Sequence, residues 1–159
     1  MAPAAGATHN ASVTLPTGPA VTFLFTDIEG STRLEQEVGS STWAGLVSDH
    51  DRILRDAIEA AGGTVVKTEG DAFFAAFADP AAAVEAIAAG QRALAERIWP
   101  GDVTLRVRAG LHLGDGHLRH RDAATDPGDY VGIDVNYAAR VSAAANGGQG
   151  VLSDTLARG

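Results

Sequence analysis

The sequence predicts an α+β domain, a ferredoxin-like sandwich with helices packed on a mostly antiparallel central sheet. Three observations carry this. An aromatic and β-branched run, Val21-Thr22-Phe23-Leu24-Phe25, precedes a long helical pattern. Two strand-like runs, Thr64–Thr68 and Ala72–Phe77, are separated only by Glu69-Gly70-Asp71, which is hairpin-turn chemistry. From Val103 to Leu113, apolar residues alternate with Thr104, Arg106, Arg108, Gly110 and His112, the period-two signature of a half-buried strand. The order β, α, β, β, α, β, followed by a further helix and strand, places helices on one face of the sheet.

Taken in order, residues 1–19 read as a flexible leader or linker broken by Pro3, Pro16 and Pro19, and residues 20–159 as one domain. The first strand reads as buried on both faces. Leu34, Val38, Leu46, Val47, Ile53, Leu54, Ala57, Ile58 and Ala61 then recur at helical spacing, interrupted at Gly39-Ser40-Ser41 and stopped by Gly62-Gly63. Asp79-Pro80, an N-cap followed by proline at the first helical position, opens a second helix through Val84, Ile87, Leu94 and Ile98 to Pro100-Gly101. After the alternating strand, Gly114-Asp115-Gly116 reads as a turn, His117–Arg121 as a short strand and Asp122–Gly128 as a polar loop. Val135–Ala145 reads as a third helix stopped by Gly147-Gly148, and Gln149–Ser153 as a last short strand.

Composition narrows the function. The chain has 159 residues with 45% hydrophobic content, enough for one domain with a sizeable core. Its net charge of −8, with only 12 Lys and Arg, argues against a nucleic-acid binder and implies that a polyanionic ligand would need a metal. There is no cysteine, which excludes thiolate sites. The leader has no basic segment followed by an apolar one, and no apolar run approaches membrane-spanning length, so a soluble, cytoplasmic domain is expected.

The chemistry-bearing stretch is Phe25-Thr26-Asp27-Ile28-Glu29-Gly30-Ser31-Thr32. Asp27 falls at a strand end, Gly30 supplies a tight turn, and Ser31 or Thr32 is the expected N-cap, so free backbone N–H groups lie beside a carboxylate. That is a place for metal plus phosphate, although an aspartate after a strand is commonly a turn or cap residue. A second acid, Asp71, sits at the mouth of another strand. If the two strands are adjacent, the carboxylates become neighbours and suit a pair of Mg²⁺ or Mn²⁺ ions, the usual device for phosphoryl transfer. Asn136 and Arg140, four apart, share a helix face. Arg140 is a candidate clamp on a pentacovalent phosphorus, while in isolation this spacing is an ordinary solvated face.

These residues carry a family resemblance. Phe25-Thr26-Asp27-Ile28, Lys67-Thr68-Glu69-Gly70-Asp71 and Asp129-Tyr130-Val131-Gly132-Ile133-Asp134-Val135-Asn136-Tyr137-Ala138-Ala139-Arg140 resemble the motifs of the class III nucleotidyl cyclase catalytic domain. The Gly147-Gly148-Gln149 tail is similar to its bacterial, especially actinobacterial, branch. The resemblance implies an adenylyl cyclase active in signal transduction, making cyclic AMP and pyrophosphate from ATP. It implies metal binding by Asp27 and Asp71, with Ile28 also assigned to the metal, and two ions per site. Substrate contacts would come from Lys67, Asp129 and the Ile28, Glu29, Gly30, Ser31 and Thr32 loop, and transition-state stabilisation from Asn136 and Arg140.

The base preference also follows from chemistry. Adenine offers an acceptor at N1 and a donor at N6, and guanine reverses both. Lys67 donates and Asp129 accepts, which fits ATP and mismatches GTP. Read without the family, Lys67 is a surface lysine and Asp129 a turn residue. The family further implies a head-to-tail homodimer in which one subunit supplies the metal aspartates and the other the base-reading and transition-state residues. The chain stops soon after Val151-Leu152-Ser153, where the family continues with another hairpin, so a C-terminally truncated domain is expected, with a monomer as the alternative state. A silent nucleotide-binding or dimerisation module and a guanylyl cyclase are the alternative functions. His112, His117 and His120 read as solvent-facing or interface groups rather than ligands, and Trp43 and Trp99 as packing or interface anchors.

Overall fold

A computed structural model describes residues 14–119 and 128–158. Strand β1 (Gly18–Ile28) leads into helices α1 (Ser31–Val38) and α2 (Ser40–Ala60), which break at Gly39 as the spacing predicts. The hairpin β2 (Thr64–Glu69) and β3 (Ala72–Phe77) follows, then α3 (Pro80–Glu96) and β4 (Val107–Arg119). Strand β5 (Asp129–Val131), α4 (Ile133–Ala143), β6 (Gly150–Leu152) and the short α5 (Asp154–Ala157) complete the chain. Asp79 caps α3 by accepting a hydrogen bond from the Ala81 N–H at 3.0 Å, with Pro80 in the first turn.

The sheet order is β2-β3-β1-β4-β5, antiparallel at every step, with β6 added parallel to β4. Its first four strands form the ferredoxin-like arrangement. Because side chains alternate along each strand, β1 divides its residues between two cores. Leu24 and Ile28 face α1, α2 and α3, where Leu34, Leu46, Leu54, Ile58, Ala86, Ile87 and Leu94 pack with Phe73, Phe77 and Leu111. Val21 and Phe23 face the other way, toward Phe74, Tyr130 and Ala138.

That second core corrects the expectation of helices on one face. Ala138 of α4 is fully buried on the face opposite α1–α3, so the domain has three layers. The close approach requires glycine: a Cβ on Gly110 would lie 2.2 Å from the Ser142 backbone nitrogen, and one on Gly114 would lie 2.4 Å from the Asp134 side chain. Gly114-Asp115-Gly116 is accordingly not a turn. It continues β4, its glycines making room for α4, Val21 and Tyr130 rather than for a reversal. The alternating strand starts at Val107, later than the pattern predicts, and takes in His117-Leu118-Arg119, read from the sequence as part of a separate short strand, to pair with β5, which the pattern assigns to no strand. His120, Arg121 and most of the polar loop, residues 122–127, lie outside the described residues.

Two boundaries also shift. Leu15 is buried and the Tyr130 hydroxyl donates to the Pro16 carbonyl at 2.6 Å, so packing begins inside the segment read as a leader. Gly30, at φ 66°, takes the cap position of α1 in place of Ser31 or Thr32, because the left-handed backbone there suits glycine. Trp99 is buried and donates to the Leu94 carbonyl at 3.1 Å, and Trp43 packs against the larger core. Among the described residues, no helix is long and apolar enough to cross a membrane.

Candidate active site

The two predicted metal acids come together at one end of the sheet. β3 pairs directly with β1, which brings the β2–β3 turn beside the end of β1, and Asp71 Oδ2 accepts the Ile28 backbone N–H at 2.7 Å across 43 positions of sequence. Asp71 is thereby tied to the peptide unit next to Asp27. Register also sets Asp27 opposite Arg108 of β4, whose guanidinium forks onto the carboxylate, Nε to Oδ1 at 2.7 Å and a terminal nitrogen to Oδ2. That bond raises the Arg108 pKa, with Asp27, Glu29 and Asp71 adding to it as surrounding charges.

Among the described residues no three acidic or histidine side chains converge as a ready-made metal cage. What exists is a pair of linked carboxylates beside the Ile28 backbone, with a cationic side chain already seated on one of them. This donor set fits Mg²⁺ or Mn²⁺, which are bound through one or two carboxylates while waters and substrate phosphates complete the shell. A cavity of about 480 Å³ opens at this corner, lined by Ser31, Thr32, Glu35, Trp43, Gly70 and Asp71 among others. Glu29 and Gly30, in the loop before α1, line a separate hollow with Arg33, Leu34, Thr104 and Arg106, and the Glu29 N–H is held by the Arg106 carbonyl at 2.8 Å.

Lys67 and Asp129 form a second meeting point. They stand 62 residues apart, on β2 and β5 at opposite ends of the strand order, yet Lys67 Nζ lies 2.9 Å from Asp129 Oδ2. Phe23, Phe74 and Tyr130 cluster in the second core with ring centroids 5.0–6.0 Å apart, joining β5 to β1 and β3 across that face, and Lys67 lies over the Phe74 ring at 5.9 Å. The same burial raises the pKa of Tyr130. Asp129 also accepts the Tyr130 N–H at 2.9 Å, which fixes its carboxylate.

Asn136 and Arg140 both lie on the exposed side of α4, as their spacing predicts. Among the described residues neither side chain hydrogen-bonds or pairs with the acids, with Lys67 or with Asp129. They share that side with Ile133 and Tyr137, which are 83% and 46% exposed. The inner end of α4 is held by His112, which is buried rather than solvent-facing. Its Nε2 is 2.8 Å from Asp134 Oδ1 and its Nδ1 2.8 Å from Ser153 Oγ, while Asp134 Oδ2 accepts the Asp115 N–H. The His112 bond, followed by that of Asp115, lowers the Asp134 pKa.

Two residues escaped the sequence reading, Arg108 as the partner of Asp27 and His112 as the anchor of α4. Arg108 did stand out as a cation on the polar phase of the alternating strand, but only the β1–β4 register reveals what it faces.

Comparison with known proteins agrees with this geometry. The family model for the adenylate and guanylate cyclase catalytic domain matches residues 13–158. The adenylate cyclase of Lachancea kluyveri is 38% identical over 157 residues, covering 87% of this chain but 8% of that protein. A receptor-type adenylate cyclase of Trypanosoma congolense is 34% identical over 168 residues, 81% of this chain and 22% of that protein. The chain thus spans only a small part of the relatives it matches. A solved Trypanosoma brucei adenylate cyclase in its monomeric state superposes with a TM-score of 0.82 at 30% identity, covering 91% of this chain and 76% of that one. With the motifs, the sheet order and a match over nearly the whole chain in agreement, this chain belongs to the adenylate and guanylate cyclase catalytic-domain family.

Proposed function

We propose that residues 20–159 act as the catalytic domain of a cytoplasmic adenylyl cyclase, converting ATP to 3′,5′-cyclic AMP and pyrophosphate. The observation that carries the base preference is the Lys67–Asp129 pair, one donor and one acceptor held 2.9 Å apart beside an aromatic cluster. Opened onto a purine, that polarity satisfies N1 and N6 of adenine and leaves two mismatched groups against guanine. The relatives named adenylate cyclase support the same choice.

In the reaction the ribose 3′-oxygen attacks the α-phosphorus, its proton leaves to water or substrate, and the bond to the bridging oxygen of pyrophosphate breaks. Two divalent ions bound at Asp27, Ile28 and Asp71 would supply acidification of the 3′-hydroxyl and neutralisation of phosphate charge. The chain's own groups do the rest. First-turn N–H groups of α1 beyond Glu29 and Gly30, with Ser31 and Thr32, cradle phosphate oxygens. Arg140 holds charge on the pentacovalent phosphorus and Asn136 orients the ribose. Because Asn136 and Arg140 make no contact with the acids of their own chain, two chains arranged head to tail would complete each other's sites.

The test is turnover of ATP and of GTP by the purified chain with Mn²⁺, products separated by chromatography, beside Asp71→Ala. Cyclic AMP from the parent alone supports the reading, and cyclic GMP in excess would reverse the base assignment. No turnover together with no ATP binding would refute it.

A further inference from the structure

We infer that Arg108 is the resident counter-cation of the acid corner, occupying the seat on Asp27 that a divalent ion must take, so that ion binding requires Arg108 to let go. This rests on the reading of Asp27 and Asp71 as metal ligands.

The geometry is specific. Arg108 and Asp27 are cross-strand partners, so the backbone register keeps the guanidinium within reach of the carboxylate. The fork hydrogen-bonds both carboxylate oxygens and fills the edge through which the carboxylate would chelate an ion, so an inner-sphere ion at Asp27 meets a guanidinium of like charge unless Arg108 withdraws. Asp71 differs: one oxygen is held by a backbone N–H, which a carboxylate can keep while its other oxygen binds an ion. The field around Arg108 is that of the corner itself, Asp27, Glu29 and Asp71. A single side chain therefore offsets part of the cluster's negative charge. Both partners are about one-third exposed, 31% and 33%, so the pair is partly screened and acts as a gate of modest height rather than a lock.

The experiment reads Mn²⁺ alone, without nucleotide, by electron paramagnetic resonance of the free ion. Arg108→Gln should bind Mn²⁺ about tenfold more tightly than the parent, with Arg108→Lys between them, because an ammonium cannot reproduce the fork. Asp27→Asn in either background should abolish the gain. Arg108→Gln no tighter than the parent would overturn the inference. So would Arg108→Lys equal to the parent, since charge alone would then explain the effect. If Asp27→Asn leaves Mn²⁺ binding unchanged, the metal reading of Asp27 fails and the gate with it. In the parent chain, independently of any variant's folding, the Arg108 Nε–H nuclear resonance should shift and exchange faster with water as Mg²⁺ is added. A resonance that stays fixed while Mg²⁺ saturates the site would overturn it as well.

Discussion

The acid corner and the outer face of α4 are built from equally polar residues, yet they differ in how far the chain satisfies them. At the corner every key group has an internal partner: Asp27 holds Arg108, and Asp71 holds the Ile28 N–H. On α4, Asn136 and Arg140 stand exposed beside Ile133 and Tyr137 and find no partner among the described residues. A self-satisfied corner can wait for its ligand in a defined shape. An unsatisfied, partly apolar face is what a surface looks like when its complement comes from outside the chain. On the function proposed above, the contrast means that this domain folds around one half of a reaction centre and presents the other half outward.

The largest effects should come from cutting each half and then mixing them. Asp27→Ala and Arg140→Ala should each lower cyclic AMP formation by roughly a hundredfold or more, through lost metal binding and lost transition-state charge stabilisation. Mixed in equal amounts, the two inactive chains should regain activity, because one heterodimeric site keeps all its groups. Failure to regain it in a confirmed dimer would break the comparison. Arg140→Ala alone should depress kcat with little change in KM, as expected of a contact made mainly in the transition state.

Base reading comes next. Lys67→Glu should reduce kcat/KM for ATP by about tenfold to a thousandfold and narrow the preference over GTP, by reversing one half of the donor–acceptor pattern. Competition between the two nucleotides in one reaction measures this directly. If discrimination survives unchanged, the pair does not read the base.

Stability separates the two halves further. Gly110→Ala would push a methyl into the Ser142 backbone, and should destabilise the domain by about 2 kcal/mol or more while misplacing α4, seen as a lower thermal midpoint together with weakened activity. Behind the acid corner, His50 is fully buried on α2 against Phe73, with Nδ1 2.8 Å from Asp51 and Nε2 unpartnered, and burial holds its pKa below the ordinary histidine value. The unfolded chain therefore takes up a proton first as pH falls. Stability should be level above about pH 6.5 and decline below it, by no more than about 1.4 kcal/mol per pH unit. His50→Leu should flatten that slope in denaturant titrations at pH 7.5 and 5.5, and an unchanged slope would assign it to other groups.

Much of this was legible in one dimension. Phe23 to Phe25, the Glu69-Gly70-Asp71 turn and the Asp79-Pro80 cap are local signals, each set by backbone sterics or hydrogen bonding within a few residues, and they appear where the pattern puts them. The glycines of β4 were misleading for an equally physical reason. Glycine serves turns and close approaches alike, and only the presence of α4 above Gly110 and Gly114 distinguishes them. Strand β5 was too short to announce itself without its partner β4.

The sequence by itself determined the order of elements from β1 to α3, the α+β class and the types of the candidate site residues, because periodicity, caps and turn chemistry are local. The tertiary structure alone decided which groups meet. Register set Arg108 against Asp27, the packing of Tyr130 against Phe74 brought Asp129 to Lys67, and the packing of α4 on the second face turned Asn136 and Arg140 outward. Those pairings depend on contacts between residues far apart in the chain, where the free energy lies in burial and sheet twist rather than in any local motif.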